Sequence, residues 1–377
     1  MAFSFSFSGD DIDAQSASSP PGTGSADQPP ATGAFPVAGC PQLSPKSHDL
    51  EDLLSRLPSK LAYSCLEVLL DDGSTFRLPR RELWDVRLQL MAEDDNLERT
   101  NDGLDHYDVK TGVYEGGFKS WESSLDLVKV LATQRTVSST VSSSWQGRPA
   151  RIVELGCGTA LPSMALFLWT LEQEPSTSQP VTFFLADYNP SVLQLITVPN
   201  LLLTWALYSR HRNPALQKAF SLDHELEVGP EVIRAFEADL SRRGVTLLFL
   251  SGAWSPAFVQ LFYQLQSAIP NTCTLPAVTL VLGAETIYSP LALRAFTETL
   301  LTLLEREDNE LGNVAGAFVA AKKLYFGVGG SLSDFIADVE SRGASVVVLK
   351  EETGGVRRGV VHCALPSQRG DQRTDNL

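Results

Sequence analysis

Cysteine is scarce in this chain of 377 residues. Five of them, Cys40, Cys65, Cys157, Cys273 and Cys363, stand at irregular spacing, which suggests neither a disulfide framework nor a zinc cluster and fits a reducing compartment. The five histidines, His48, His106, His211, His224 and His362, show no ligand spacing on one helix, so no metal is implied. Positive charge is also short. Lys and Arg number 30 against 45 Asp and Glu, and the net charge of −15 discourages broad contact with nucleic acid phosphates while favouring a basic partner. Long apolar runs are missing too: the longest are strand-sized or broken by polar residues, so no membrane span is expected. The opening MAFSFSFSGDDID lacks the basic flank and apolar core of a secretory signal. What the chain does have is 43% hydrophobic residues, enough for one large core or two ordinary ones.

Residues 1–47 are rich in Ser, Pro, Gly, Asp and Gln and are expected to form a disordered arm. Its start carries the alternating Phe3, Phe5 and Phe7, readable as a strand, a docking peptide or merely an untidy terminus. Residues 48–113 hold short helix-like and strand-like pieces with too little apolar mass for an independent domain, so they should pack as an extension on the main one. The acidic run from Met91 to Asp108 reads as a solvated connection. The main domain is expected over 114–366, with an insertion at about 204–244 that either faces a partner or is a plain surface loop, and 367–377 is a flexible tail.

Within the main domain strand and helix signals alternate. Strands are predicted at Arg151–Leu155, Val181–Ala186, Thr246–Leu250, Val278–Gly283, Ala317–Phe326, Ser345–Leu349 and Gly359–Leu365, with helices at Pro162–Glu172, Ala292–Leu304 and Leu332–Ser341. Apolar runs between helices describe an α/β, Rossmann-like sheet of seven strands, mostly parallel and covered on both faces. The last two strands are joined through Gly354 and Gly355, too short a link for a crossover, so the final strand should run antiparallel to its neighbour. Methyl-transfer domains that bind S-adenosylmethionine characteristically end in this way.

Four stretches carry candidate chemistry. In RIVELGCGTALPS, Gly156 and Gly158 follow a strand and precede a helix, a turn that lets a ligand press against backbone. The dinucleotide fingerprint needs a third glycine at position 161, and Leu161 stands there instead. In FFLADYNPS a strand ends in Asp187, placed to accept both hydroxyls of a ribose, unless it is a turn acid. TGVYEGGFKSWESSLDL offers Trp121 as a rigid wall for a nucleoside or as plain core. LVLGAETIYSP puts Glu285 and Tyr288 at a strand end, where open α/β sheets collect reactive groups; a helix-terminal acid is the other reading of Glu285.

Together RIVELGCGTALPS, LADYNPSVLQLITVPN, YEGGFKSWESSLDLV, FLSGAW and GAETIYSP resemble the protein-histidine N-methyltransferases of the seven-β-strand class, from about Tyr114 to Pro366, and the FSFSF start looks like their fungal members. The resemblance implies a class I methyltransferase fold. It implies transfer of one methyl from S-adenosylmethionine to the tele nitrogen of a histidine in a basic large-subunit ribosomal protein, supporting ribosome assembly and translation in cytoplasm and nucleus. By position, Glu154, Gly156, Cys157 and Gly158 would line the methionine end, Asp187 and Asn189 would approach the ribose, Trp254 would border adenine and Trp121 would precede the site. Glu285, which would also touch the cofactor, or Tyr288 would orient the target imidazole, with Asn189 in reserve. The family usually has an acid where this chain has Ala253, which leaves the adenine amino group without that partner. A monomer is expected, without sequence-specific nucleic acid binding. The rivals are a protein-lysine methyltransferase of the same fold, a small-molecule methyltransferase, a dehydrogenase weakened by Leu161, and a non-catalytic ribosome assembly factor.

Overall fold

The structure is a computed structural model that describes residues 42–94, 109–110, 114–115, 117–137, 148–175, 179–269, 275–311, 313–325 and 330–366. The aromatic motif, nearly all of the expected arm, most of the acidic run and the tail lie outside the described residues.

In chain order the strands are β1 (Lys46–His48), β2 (Lys60–Leu69), β3 (Thr75–Arg81), the short pair β4 (Val109–Lys110) and β5 (Tyr114–Glu115), β6 (Ala150–Leu155) and β7 (Val181–Asp187). There follow β8 (Glu225–Glu227), β9 (Val245–Ser251), β10 (Val278–Ala284), β11 (Val314–Lys322), β12 (Ser345–Glu352) and β13 (Arg358–Ala364). Eight of them build the main sheet, in the order β1-β9-β7-β6-β10-β11-β13-β12. β9, β7, β6, β10 and β11 run parallel, and β13 is antiparallel to both β11 and β12. This is the class I methyltransferase topology, with the last strand slotted inside the sheet rather than added to its edge.

The predicted seven strands are all present, and the eighth is β1, antiparallel to β9 through Lys46↔Ser251 and His48↔Phe249. Three residues carry no readable periodicity, and β1 begins inside the stretch assigned to the arm. The sixth and fifth predicted strands shift modestly: β11 starts at Val314 and stops at Lys322, four residues before Phe326. β12 runs on to Glu352.

Central parallel strands bury both faces, which is why their sequences are mostly apolar. On one face Ile152, Phe183, Leu247 and Leu280 meet the helices Glu122–Val137, Leu161–Glu172 and Pro190–Ser209. On the other, Val153, Phe184, Val281 and Val319 meet helices Pro256–Ala268, Pro290–Glu305 and Leu332–Ser341. Those three helices each start on a serine, Ser255, Ser289 or Ser331, whose hydroxyl accepts the amide three residues on. Pro190–Ser209 is long and apolar enough to cross a bilayer, but it is 78% buried inside the fold and serves as a core helix.

Between β7 and β9 the chain does more than cross over. β8 pairs with β2, which also pairs with β3, so the segment within 204–244 and the segment after residue 48 together make one three-stranded sheet. Helix Leu83–Asp94 follows β3, and its Val86 packs with Phe118, Val192, Leu195 and Ile196 beside the end of β7.

Candidate active site

The turn after β6 has Gly156 at φ +69° and Gly158 at φ +49°, left-handed values that other residues adopt at a cost. A Cβ at 156 would stand 2.9 Å from Thr286 Cγ2, and one at 158 would stand 3.1 Å from the Gly117 carbonyl. The turn is thus closed between the Gly117 backbone on one side and Thr286 with Trp254 on the other. Ala160, also left-handed, leads into helix Leu161–Glu172 without capping it through its own side chain. Pro162 has no N–H to offer and the Ser163 amide is taken by Glu154, so most of this helix start is satisfied within the protein. Leu161 is fully buried, which fills the space a dinucleotide fold leaves to a third glycine.

Two of the residues carried over from the resemblance sit behind the turn rather than over it. Glu154 is buried and accepts the Ser163 amide at 2.9 Å, and burial pushes its carboxyl up to about 8. The Cys157 thiol faces Thr197 Oγ1 at 3.7 Å within the core, where burial holds it well above its ordinary pKa. What Cys157 contributes to the turn is its backbone, whose N–H donates to Ala186 O at 2.8 Å.

Asp187 ends β7 with its carboxylate over the turn: Oδ2 accepts the Gly158 amide at 3.0 Å and Oδ1 the Asn189 amide at 3.1 Å. Burial raises its carboxyl to about 6. Each oxygen keeps a lone pair beyond these bonds, as two ribose hydroxyls require. Asn189 caps the next helix, its Oδ1 accepting the Ser191 amide at 2.9 Å. Trp254 lies beside Gly156 and edge-on to Phe296, with Tyr188, Tyr288 and Ala292 around it. Ala253 is buried, and its N–H donates to Leu43 O at 2.9 Å, so the segment before β1 covers the position where the family usually has an acid.

Glu285, just beyond β10, has φ +57°, an uncommon conformation for a residue with a side chain. Its amide donates to Ala320 O at 2.9 Å, and both carboxylate oxygens are held: Ser123 Oγ donates to Oε1 and Tyr325 Oη to Oε2. Burial, then the neighbouring Glu285 charge, push the Tyr325 phenol far above its usual range, so it stays a donor. Tyr288 is near enough to add to that effect. Trp121 directly precedes the helix Glu122–Val137 that carries Ser123, and the Lys322 ammonium lies 5.5 Å from the Trp121 ring and 5.5 Å from the Tyr325 ring.

Ser123, Lys322 and Tyr325 were absent from the sequence reading. No local pattern marks them, because the contacts span 162 residues for Ser123 and 40 for Tyr325.

The turn, Asp187, Trp254, Trp121 and Glu285 therefore gather on the side of the sheet where β6, β7 and β10 end, where open α/β sheets bind ligands. Two hydroxyls, Thr286 Oγ1 and Tyr188 Oη, are buried with no hydrogen-bond partner among the described residues; Thr286 turns its Cγ2 to the glycine turn and its Oγ1 towards Gly283. A ligand with an amino-acid tail, a ribose and an aromatic base fits these groups. A groove of about 660 Å³, lined by Trp254, Arg294, Glu298 and Arg306 among others, shares Trp254 with this group but includes none of Gly156, Asp187 or Glu285.

No model of a known protein family matches the chain. It is similar to Histidine protein methyltransferase 1 of Schizosaccharomyces pombe, 33% identical over 330 residues that cover 85% of this chain and 86% of that protein. The protein of the same name from Saccharomyces cerevisiae is 35% identical over 280 residues, covering 70% and 69%. The Bos taurus homolog is 29% identical over 238 residues, covering 63% and 52%.

Proposed function

The chain belongs to the histidine protein methyltransferase 1 family, and from that premise we propose that it methylates the tele nitrogen of one histidine in a basic protein of the large ribosomal subunit. S-adenosylmethionine, when bound, supplies a methyl carried on a sulfonium, an electrophile that needs placement more than activation. The turn carrying Gly156 and Gly158 would hold its amino-acid tail, Asp187 its ribose, and Trp254 its base.

The observation that carries the reading is Glu285. A carboxylate fixed at both oxygens on a left-handed backbone, beside the glycine turn, is built to hold one orientation. A neutral imidazole is a nucleophile at pH 7, since its reference pKa is near 6.5, so no strong base is required. Glu285 accepts the N–H of the ring nitrogen that is not methylated, which fixes the tautomer and aims the other lone pair at the methyl. Methyl transfer would leave the ring cationic until its remaining N–H proton passes to water, and the same carboxylate would stabilise that charge. Lys322 favours histidine over lysine, because a substrate ammonium entering beside Trp121 and Tyr325 would meet a like charge.

Substrate charge agrees with the −15 of the enzyme. The enzyme would act where large-subunit proteins are made and assembled, in the cytoplasm and the nucleus. Purified large-subunit proteins incubated with the enzyme and labelled S-adenosylmethionine, then mapped by peptide mass spectrometry, test this. A single methyl on a histidine is expected. Label on lysine would move the activity to the sister class, and no label despite cofactor binding would leave an assembly factor.

A further inference from the structure

Pro199 creates a defect in the helix Pro190–Ser209. The carbonyl that a helical residue 199 would satisfy is that of Leu195, and proline has no N–H to offer and crowds that carbonyl with its ring. The helix answers with a π-turn over Leu193–Thr197. Arg81, at the end of β3 and 1% exposed, donates from Nη1 to Leu195 O at 2.9 Å. Its Nε donates to Asp85 at 2.7 Å and its Nη2 to Gln89 at 2.8 Å, so the buried cation is paired within its own segment.

The repaired helix reaches the cofactor turn at two points. Thr197 Oγ1, on the π-turn, donates to Gly158 O at 2.7 Å. Asn200 Nδ2 donates to Thr159 O at 3.0 Å, while its Oδ1 accepts the Arg81 amide at 2.8 Å. Side chains of one helix thus hold the Gly158 and Thr159 carbonyls, and Arg81 holds that helix through its guanidinium and its backbone at once.

We propose that Arg81 is a positioning residue for cofactor binding: through the π-turn, Thr197 and Asn200, the segment before the main domain sets the conformation of Gly158 and Thr159. The inference rests on the reading of the glycine turn as the S-adenosylmethionine site. Holding both carbonyls back fixes the peptide planes so that the turn's other face meets the ligand. A turn free to rotate would bind more weakly even in a folded molecule.

The test measures S-adenosylmethionine binding by calorimetry, without protein substrate, alongside Tm, on the full chain and on Arg81→Met, Arg81→Lys and Thr197→Val. Arg81→Met is expected to raise Kd at least tenfold per folded molecule, and Arg81→Lys to restore part of it. Thr197→Val keeps the shape and removes the bond to Gly158 O, together with the longer contacts of the same hydroxyl to Val192 O and Cys157 Sγ; it should raise Kd about threefold to tenfold. Should Arg81→Met fail to fold, Arg81→Lys and Thr197→Val carry the test. A Kd within twofold of the parent for both, at whatever Tm, overturns the proposal and leaves Arg81 a packing residue. If the parent chain itself binds no S-adenosylmethionine, the reading of the turn falls first.

Discussion

Gly158 donates its amide hydrogen to Asp187 Oδ2 at 3.0 Å, so the turn after β6 and the acid ending β7 are one hydrogen-bonded unit. A ligand that lies on the turn and bonds the acid meets both in a fixed relation.

Asp187 should make cofactor binding depend on pH. Burial raises its carboxyl to about 6, and ribose hydroxyls bond best to the ionised form. Affinity for S-adenosylmethionine is expected to be flat above pH 7 and to fall towards about tenfold per unit below about pH 6. Calorimetry without protein substrate keeps titration of the target histidine out of the measurement. Asp187→Asn should weaken binding about tenfold to a hundredfold and abolish the slope.

Glu285→Gln should lower kcat about tenfold to a thousandfold while cofactor Kd changes less than twofold. Tyr325→Phe frees one carboxylate oxygen and should act in the same direction by a smaller factor. Single-turnover kinetics with calorimetry separates the two quantities. Equal loss of rate and cofactor affinity would remove Glu285 from the orienting role.

Glu154 should impose an alkaline loss of stability. Its folded-state pKa is raised from the ordinary 4.5 to about 8, so the folded protein holds the proton more tightly than the unfolded chain. The stability this supplies is complete below about pH 4.5 and drains away as pH rises to about 8. Glu154→Gln keeps an oxygen for the Ser163 amide and removes the titration. Its Tm relative to the parent should therefore rise between pH 6.5 and 8.5, a range above the Asp187 transition.

Gly158→Ala forces a Cβ into the left-handed region and towards the Gly117 carbonyl. A cost of about 1–2 kcal/mol is expected from the backbone alone, read as a Tm drop of a few degrees, with weaker cofactor binding. Gly343→Ala, at φ +90° with open space around it, provides the control for strain without the close approach.

Much of this was legible in the chain itself. Strand, glycine turn and helix are contiguous, so RIVELGCGTALPS announces its shape through local pattern, and Asp187 and Glu285 are readable because sheet ends expose whatever residue follows an apolar run. Asn189 had a local signal too, since an Asn before Pro190 is a helix cap as readily as a ligand group. The side chains of Glu154 and Cys157 belong to the same quoted motif, yet they turn into the core, a direction that motif spacing does not encode.

By itself the sequence determined the order of strands and helices and the glycine turn, because backbone conformation at glycines and apolar periodicity are decided by neighbours a few residues away. Only the tertiary structure decided that Ser123 and Tyr325 clamp Glu285, that β8 completes the sheet begun by β2, and that Arg81 repairs the helix beneath the turn. Those contacts join residues far apart in the chain. Burial makes each partner obligatory for the other, and no stretch read alone contains both.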